Sequence, residues 1–418
     1  MNKIMINGPT RLNGDVNISG SKNASLPILF AALLTKEKII LNNVPNIKDI
    51  EITIKLLKHL GVKIKIYKST YIIQSNKVRK YSIPNNLVIS TRASIWALGA
   101  FLTRFKKIKL AFPGGCNIGL RPIDIHIEGL RKLGAIIKVK DGFIKAYVKK
   151  KLKGVCIIMK KISVGATINI MNAAILAEGT TIIKNAAKEP EIIDTANFLN
   201  MLGANIEGAG NYKITIKGVK SLKGGSYKIP PDRIETGTFL VAAAISKGKI
   251  TCHNTKTNVL DSILSKLEES GAKIKIGINW ISLDMKYQKP KSVNIVTAPY
   301  PGFPTDMQAQ FTILNITSQG KGTIKETIFE NRFMHIPEII KMGAKVKVKK
   351  NNIICDGASN LLSSEVTAKD LRSSASLILA GCIAQGKTII NNIYHIQRGY
   401  ENILYKLKIL GANIKIIK

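Results

Sequence analysis

The chain has 418 residues, 45% hydrophobic and 6% aromatic, and a formal net charge of +38. This length is enough for about two to three domains with cores of their own, and no apolar run is long enough to span a bilayer. The five cysteines form no C-x-x-C pair and have no clustered histidines, which argues against a disulfide framework and a zinc site.

The first residues, Met1 to Pro9, carry one lysine and break at Gly8-Pro9 before an apolar stretch forms, so no secretory signal is expected and the cytoplasm is the expected location. The large positive charge suggests nucleic acid, a membrane surface or an acidic substrate. Yet lysine alternates with apolar residues in Lys63-Ile64-Lys65-Ile66, Lys273-Ile274-Lys275-Ile276 and Lys345-Val346-Lys347-Val348, which reads as the solvated face of strands. Few aromatics interleave with these lysines, so stacking on bases is poorly supported.

A longer periodicity organises the chain. An amphipathic helix ending in glycine and leading into a strand recurs at Leu60-Gly61-Val62, Leu133-Gly134-Ala135, Leu202-Gly203-Ala204, Ser270-Gly271-Ala272, Met342-Gly343-Ala344 and Leu410-Gly411-Ala412. The glycine is the left-handed helix stop, and period-two alternation begins after it. The copies lie about 70 residues apart, too long for a solenoid, so each reads as a small layered αβ unit.

In every copy a second, more apolar helix comes first: 24–34, 93–105, 166–177, 236–246, 307–317 and 373–384. Helices apolar all round are buried on most sides. Polar residues stand just before them: Lys22 and Asn23, Arg92, Lys161 and Ser163, Asp232 and Glu235, Asp306, Arg372. Capping accounts for Asn23, Ser163 and Asp306. It does not account for the cations, which need an anion at a helix N-terminus.

The loops after the following strand carry Lys48 and Asp49, Pro113 to Pro122, Glu189-Pro190-Glu191, Asn258 with Asp261, Asn331 with Arg332, and Gln397-Arg398-Gly399. The second of these holds Cys116 among glycines, with Arg121 five residues on. It reads either as a surface turn or as a reactive thiol beside an anion site. The other cysteines, 156, 252, 355 and 382, stand in apolar contexts where burial is expected. Ile229-Pro230-Pro231-Asp232 is a stiff crossing between copies three and four, matched by Gly20-Ser21-Lys22-Asn23. The expected domains are 22–229, and 1–21 with 230–418, joined by a doubly crossing hinge around a cleft that opens and closes.

Ser21-Lys22-Asn23-Ala24, Thr91-Arg92-Ala93-Ser94, Pro113-Gly114-Gly115-Cys116, Gly119-Leu120-Arg121-Pro122, Ser163-Val164-Gly165-Ala166, Asp232-Arg233-Ile234-Glu235, Pro304-Thr305-Asp306-Met307, Glu330-Asn331-Arg332-Phe333, Leu371-Arg372 and Arg398-Gly399-Tyr400-Glu401 together resemble the enolpyruvyl transferase family, in its UDP-N-acetylglucosamine 1-carboxyvinyltransferase branch. The resemblance covers essentially the whole chain. It implies an α/β fold of two inside-out, barrel-like αβ domains, each of three similar repeats.

It also implies transfer of the enolpyruvyl group of phosphoenolpyruvate to the 3′-hydroxyl of UDP-N-acetylglucosamine, with phosphate released by addition and elimination. By the same resemblance Cys116 is the proton donor and the fosfomycin target, and Asp306 the base or orienting carboxylate. Lys22 and Arg398 join them as catalytic residues. Lys22, Arg121 and Arg398, with Asn23 beside them, would hold the phosphate of phosphoenolpyruvate, and Arg332 and Arg372 its carboxylate. The nucleotide sugar would meet Asn23, Arg92, Arg121, Pro122, Ile123, Asp124, Ile125, Lys161, Ile162, Ser163, Val164, Asp306 and Ile328. No metal, cofactor, specific nucleic acid or membrane insertion is implied, the partners being the two small substrates and the chain a monomer.

Gln397, Leu120 and Lys160 depart from the family pattern, the first by removing an acid beside Arg398. Two other readings remain at this point: the shikimate-pathway enolpyruvyl transferase, which shares fold and donor, and a non-catalytic polyanion-binding scaffold suggested by the charge.

Overall fold

The computed structural model describes residues 3–88, 92–112 and 123–417; Cys116, Leu120, Arg121 and Pro122 lie outside the described residues. The described residues divide into two compact units, one over 20–112 and 123–230 and the other joining 3–19 to 231–417. Each has its own hydrophobic core. No helix among the described residues is long and apolar enough to cross a membrane.

Among the described residues each unit carries three separate four-stranded sheets of one design. In the sheet around Lys107–Ala111, that strand runs parallel to Ser82–Ile83 and antiparallel to Phe143–Tyr147, which pairs antiparallel with Ile136–Lys140 at the edge. The order parallel, antiparallel, antiparallel recurs in the other five. No closed barrel links the described strands: the units are barrel-like in having sheets placed around buried helices.

Those helices are the apolar ones expected from sequence. Lys22–Ala31, Ala97–Arg104 and Val164–Ala174 belong to the first unit, and Arg233–Ile245, Gln308–Thr317 and Leu371–Ile383 to the second. Every residue of Gln308–Thr317 is buried, as is every residue of Arg233–Ile245 after the first. Sheet-covered helices of this kind make the fold inside-out, because the most apolar elements are helical rather than extended. The amphipathic helices end on Gly61, Gly134, Gly203, Gly271, Gly343 and Gly411, all with φ between +84° and +103°. A Cβ is disfavoured in that left-handed region, so the recurring glycine is a backbone requirement.

At the two chain crossings the strands exchange partners. Asn13–Asn17 pairs in parallel with Lys249–His253, and Gly225–Lys228 with Ile39–Asn42. The N–H of Ser21 donates to the carbonyl of Pro230 at 2.7 Å, and that of Asp232 to Ser19 at 2.9 Å. A Cβ on Gly20 would lie 1.8 Å from the Asn43 carbonyl oxygen, so only glycine fits there. Buried Glu235 accepts from the Ser19 N–H and binds Lys406 at 2.5 Å.

Cys156 corrects an expectation. It is exposed, whereas Cys252, Cys355 and Cys382 are buried. Val-Cys-Ile-Ile reads as a buried run, but Cys156–Ile158 is a short edge strand with only Ile157 facing inward. Period-two geometry turns the cysteine out.

Candidate active site

In the first unit, Lys22 opens a buried helix capped by Ser21, whose hydroxyl accepts from the Ala24 N–H at 3.2 Å. Asn23 is the second helical residue rather than the cap expected from sequence. The anion that Lys22 requires is within the chain: its Nζ lies 2.7 Å from Asp49 Oδ2. Asp49 is buried in the first turn of Lys48–His59, where the helix dipole favours a carboxylate. The sequence reading places it in a loop after a strand, whereas it belongs to the helix.

The second and third repeats meet through a polar cluster. Arg92 opens the short turn Arg92–Trp96, and the Trp96 indole N–H donates to the Gly165 carbonyl at 3.1 Å. Ser163 caps Val164–Ala174 by accepting from the Ala166 N–H, as expected. Asn169 Oδ1 accepts from the Gly99 N–H, which fixes its amide orientation, and its Nδ2 then donates to His126 Nδ1 at 3.1 Å. The imidazole is therefore neutral with its proton on Nε2. Burial and then Arg92 push the His126 pKa down to about 4, against an opposing pull from Asp124. Ile123 is buried just before the helix Asp124–Lys132, Asp124 is exposed in its first turn and Ile125 half-buried. Lys161 and Ile162 are exposed and Val164 half-buried. Lys160, one of the departures from the family pattern, is paired with Glu128 at 3.1 Å.

The second unit assembles the arginines. Asp306 sits in the turn Thr305–Met307, ahead of a fully buried helix. It does not cap that helix. Its Oδ1 accepts from Arg332 Nη2 at 2.7 Å and its Oδ2 from Arg372 Nη2 at 2.6 Å. Both guanidiniums are buried and the carboxylate is 24% exposed. Burial would raise the Asp306 pKa, but Arg372 and Arg332 overcome it and hold the carboxyl well below its usual range. Burial likewise opposes the Arg372 charge, and Asp306 more than restores it.

Each guanidinium has a second anchor. Arg332 Nη1 donates to Thr305 Oγ1 at 2.8 Å, and Arg372 Nη1 to the Tyr400 hydroxyl at 3.1 Å. Asp370 opens the Arg372 helix with a reciprocal cap on Ser373, which sets the direction in which Arg372 leaves the backbone. Half-buried Arg398 follows the short helix Tyr394–Gln397, with Gln397 exposed beside it. Burial and then Arg398 lower the pKa of neighbouring His395. Ile328 lies half-buried in the loop before Arg332.

The structure thus joins Asp306, Arg332 and Arg372 directly. It also adds Asp49, Thr305, Tyr400, Trp96 and His126, which sequence reading missed. Trp96, one of two tryptophans in the chain, and the histidine inside an amphipathic helix are the sequence signals for the last two.

Residues 6–407 match the family described as EPSP synthase (3-phosphoshikimate 1-carboxyvinyltransferase). The protein of Cronobacter sakazakii named UDP-N-acetylglucosamine 1-carboxyvinyltransferase is 58% identical over 418 residues, all of both chains. The chain belongs to the enolpyruvyl transferase family. A second family member of the same name, from Photorhabdus laumondii, is also 58% identical over all of this chain and 99% of its own. Among solved enolpyruvyl transferases, NikO from Streptomyces tendae superposes with a TM-score of 0.91 at 22% identity, covering 100% of this chain and 99% of its own. EPSP synthase from Acinetobacter baumannii gives 0.78 at 17%, with complete coverage of both. These two share the fold.

Proposed function

We propose that this chain transfers the enolpyruvyl group of phosphoenolpyruvate to the 3′-hydroxyl of UDP-N-acetylglucosamine, releasing phosphate and opening peptidoglycan synthesis in the cytoplasm. The observation that carries the reading is full-length identity of 58% to proteins named for that reaction. The cluster of half-buried Asp306 with buried Arg332 and Arg372 supports it, being suited to an anionic substrate.

In the addition step the sugar hydroxyl gives its proton to Asp306 as its oxygen bonds to C2 of phosphoenolpyruvate, and C3 takes a proton from Cys116. The tetrahedral ketal then returns a C3 proton to the Cys116 thiolate as the C2–O bond to phosphate breaks, restoring the double bond, and the proton on Asp306 leaves with the phosphate. Lys22, Arg121 and Arg398, with Asn23, would balance the phosphate charge. Arg332 and Arg372 would take the substrate carboxylate. Held by two guanidiniums, Asp306 is an anion of low basicity, fit to accept a hydrogen bond from the sugar hydroxyl. It becomes a competent base once a substrate carboxylate draws the arginines away.

The residues proposed for the nucleotide sugar are Asn23, Arg92, Arg121, Pro122, Ile123, Asp124, Ile125, Lys161, Ile162, Ser163, Val164, Asp306 and Ile328. In this reading the domains are 22–229, and 1–21 with 230–418. The chain acts as a monomer without metal or cofactor, and fosfomycin alkylates Cys116.

The assay is phosphate release from phosphoenolpyruvate with and without UDP-N-acetylglucosamine. Release that depends instead on shikimate 3-phosphate would transfer the protein to the sister activity for which the matching family is described. Absence of release with either acceptor would favour the non-catalytic scaffold.

A further inference from the structure

Glu326 lies at the end of the strand Gly322–Lys325 and is 2% exposed. No cation is bonded to its carboxylate in the described contacts. Four neutral donors meet it instead. The Thr297 hydroxyl and the N–H groups of Ile328 and Phe329 donate to Oε1, at 3.0, 2.8 and 3.2 Å. The Thr305 hydroxyl donates to Oε2 at 2.9 Å. A buried carboxylate costs free energy unless donors meet both of its oxygens, and a network that does so holds its partners in a defined arrangement.

Those partners lead to the arginine cluster by two routes. Having spent its proton on Glu326, the Thr305 hydroxyl can only accept from Arg332 Nη1, and it does so at 2.8 Å. The ring of Phe329, the residue whose backbone N–H donates to Glu326, lies 5.1 Å from the Arg332 guanidinium carbon. We propose that Glu326 is a positioning residue: it orders the Ile328–Phe329 loop and, through Thr305, aims Arg332 at Asp306. Resting on the proposed reaction, this makes a residue that touches no reacting atom a determinant of turnover, and it couples the loop assigned to the nucleotide sugar with the carboxylate assigned to its hydroxyl.

Glu326→Gln isolates the link. With three donors converging on Oε1, the amide oxygen stays with the loop and the amide NH2 faces Thr305, whose proton then has no acceptor. The expected result is a fall in kcat of about 100-fold, the scale of an ångström-level misplacement, with KM for UDP-N-acetylglucosamine changed by less than about threefold. Thr305→Val should fall similarly, Thr305→Ser should recover, and the double variant Glu326→Gln/Thr305→Val should be no worse than the poorer single one. Arginine side-chain NMR supplies a readout independent of turnover: resolved Arg332 Nη protons in the wild type and in Thr305→Ser, averaged in the other two single variants. A Glu326→Gln protein with lowered melting temperature but kcat within twofold of wild type, additive losses in the double variant, or unchanged Arg332 signals would each overturn the proposal. If the wild type releases no phosphate, the proposed reaction fails while the NMR comparison still decides the role of Glu326.

Discussion

Asp306→Asn tests whether the arginine cluster is held together by the chain's own carboxylate. Each guanidinium attracts Asp306 with about 4 kcal/mol at a charge separation near 4 Å and an effective dielectric near 20, before desolvation. Removing one member of such a buried pair costs a net of about 3–5 kcal/mol, because the partner charges stay buried. Asparagine still accepts from one arginine and turns its NH2 toward the other, so the low end, about 3 kcal/mol, applies. For a unit of about 150–250 residues each kcal/mol is about 2–4 °C, which gives a melting point lower by about 6–12 °C. Anions should reverse the loss: phosphoenolpyruvate or phosphate at about 100 times its Kd returns about 2.7 kcal/mol, and in the wild type it must first displace Asp306. The sign with pH follows from the depressed pKa. The stabilisation is present above the unfolded carboxyl value, near pH 4, and is lost only as pH falls through the still lower folded value. Scanning fluorimetry with and without phosphate measures both effects. A midpoint within about 2 °C of wild type, with equal response to anion, would refute the reasoning.

Three further outcomes are expected. Fosfomycin should label Cys116 alone, whereas iodoacetamide should also reach exposed Cys156. Burial pushes the thiols of Cys355 and Cys382 up to about 12 and leaves them inert until denaturant is added, as peptide mass spectrometry can check. His126, buried and held near 4, stabilises the fold above the unfolded value near 6.5 and loses that contribution as pH falls toward 4; His126→Gln should flatten this acid-side slope in chemical denaturation, and an unchanged slope would contradict the neutral assignment. Lys275→Glu, on an exposed strand position, should leave kcat within twofold, while Arg398→Ala loses at least about 100-fold; equal losses would revive the polyanion reading.

Sequence reading recovered the features set by local backbone chemistry. The six glycines announce helix stops because a left-handed residue is needed at each, and the apolar runs announce buried helices because no polar face interrupts them. What it missed lies in pairings between residues far apart in the chain. Lys22 demanded an anion, but Asp49 looked like any loop acid until packing buried it. Asp306 resembled a cap because its position before a helix is a cap's position; only the approach of Arg332 and Arg372, 26 and 66 residues later, gives the carboxylate its partners. Cys156 was misread because an all-apolar stretch of three residues has no visible alternation to say which side chain faces out.

The exchange of strands at the crossings also sets the order in which the protein can be made. A nascent chain has all the strands of its residue 20–230 unit once Gly225–Lys228 has left the ribosome. The strand Lys3–Gly8 has no such early partner: it lies between Gly386–Asn391 and Asn413–Ile417, and waits until those two strands have been made. Closing a loop of about 400 residues costs about 2 kcal/mol more than closing one of about 40. Until then an apolar strand travels with an unpaired edge, open to other chains. Loss of Asn413–Ile417 alone would leave Lys3–Gly8 as the rim of its sheet.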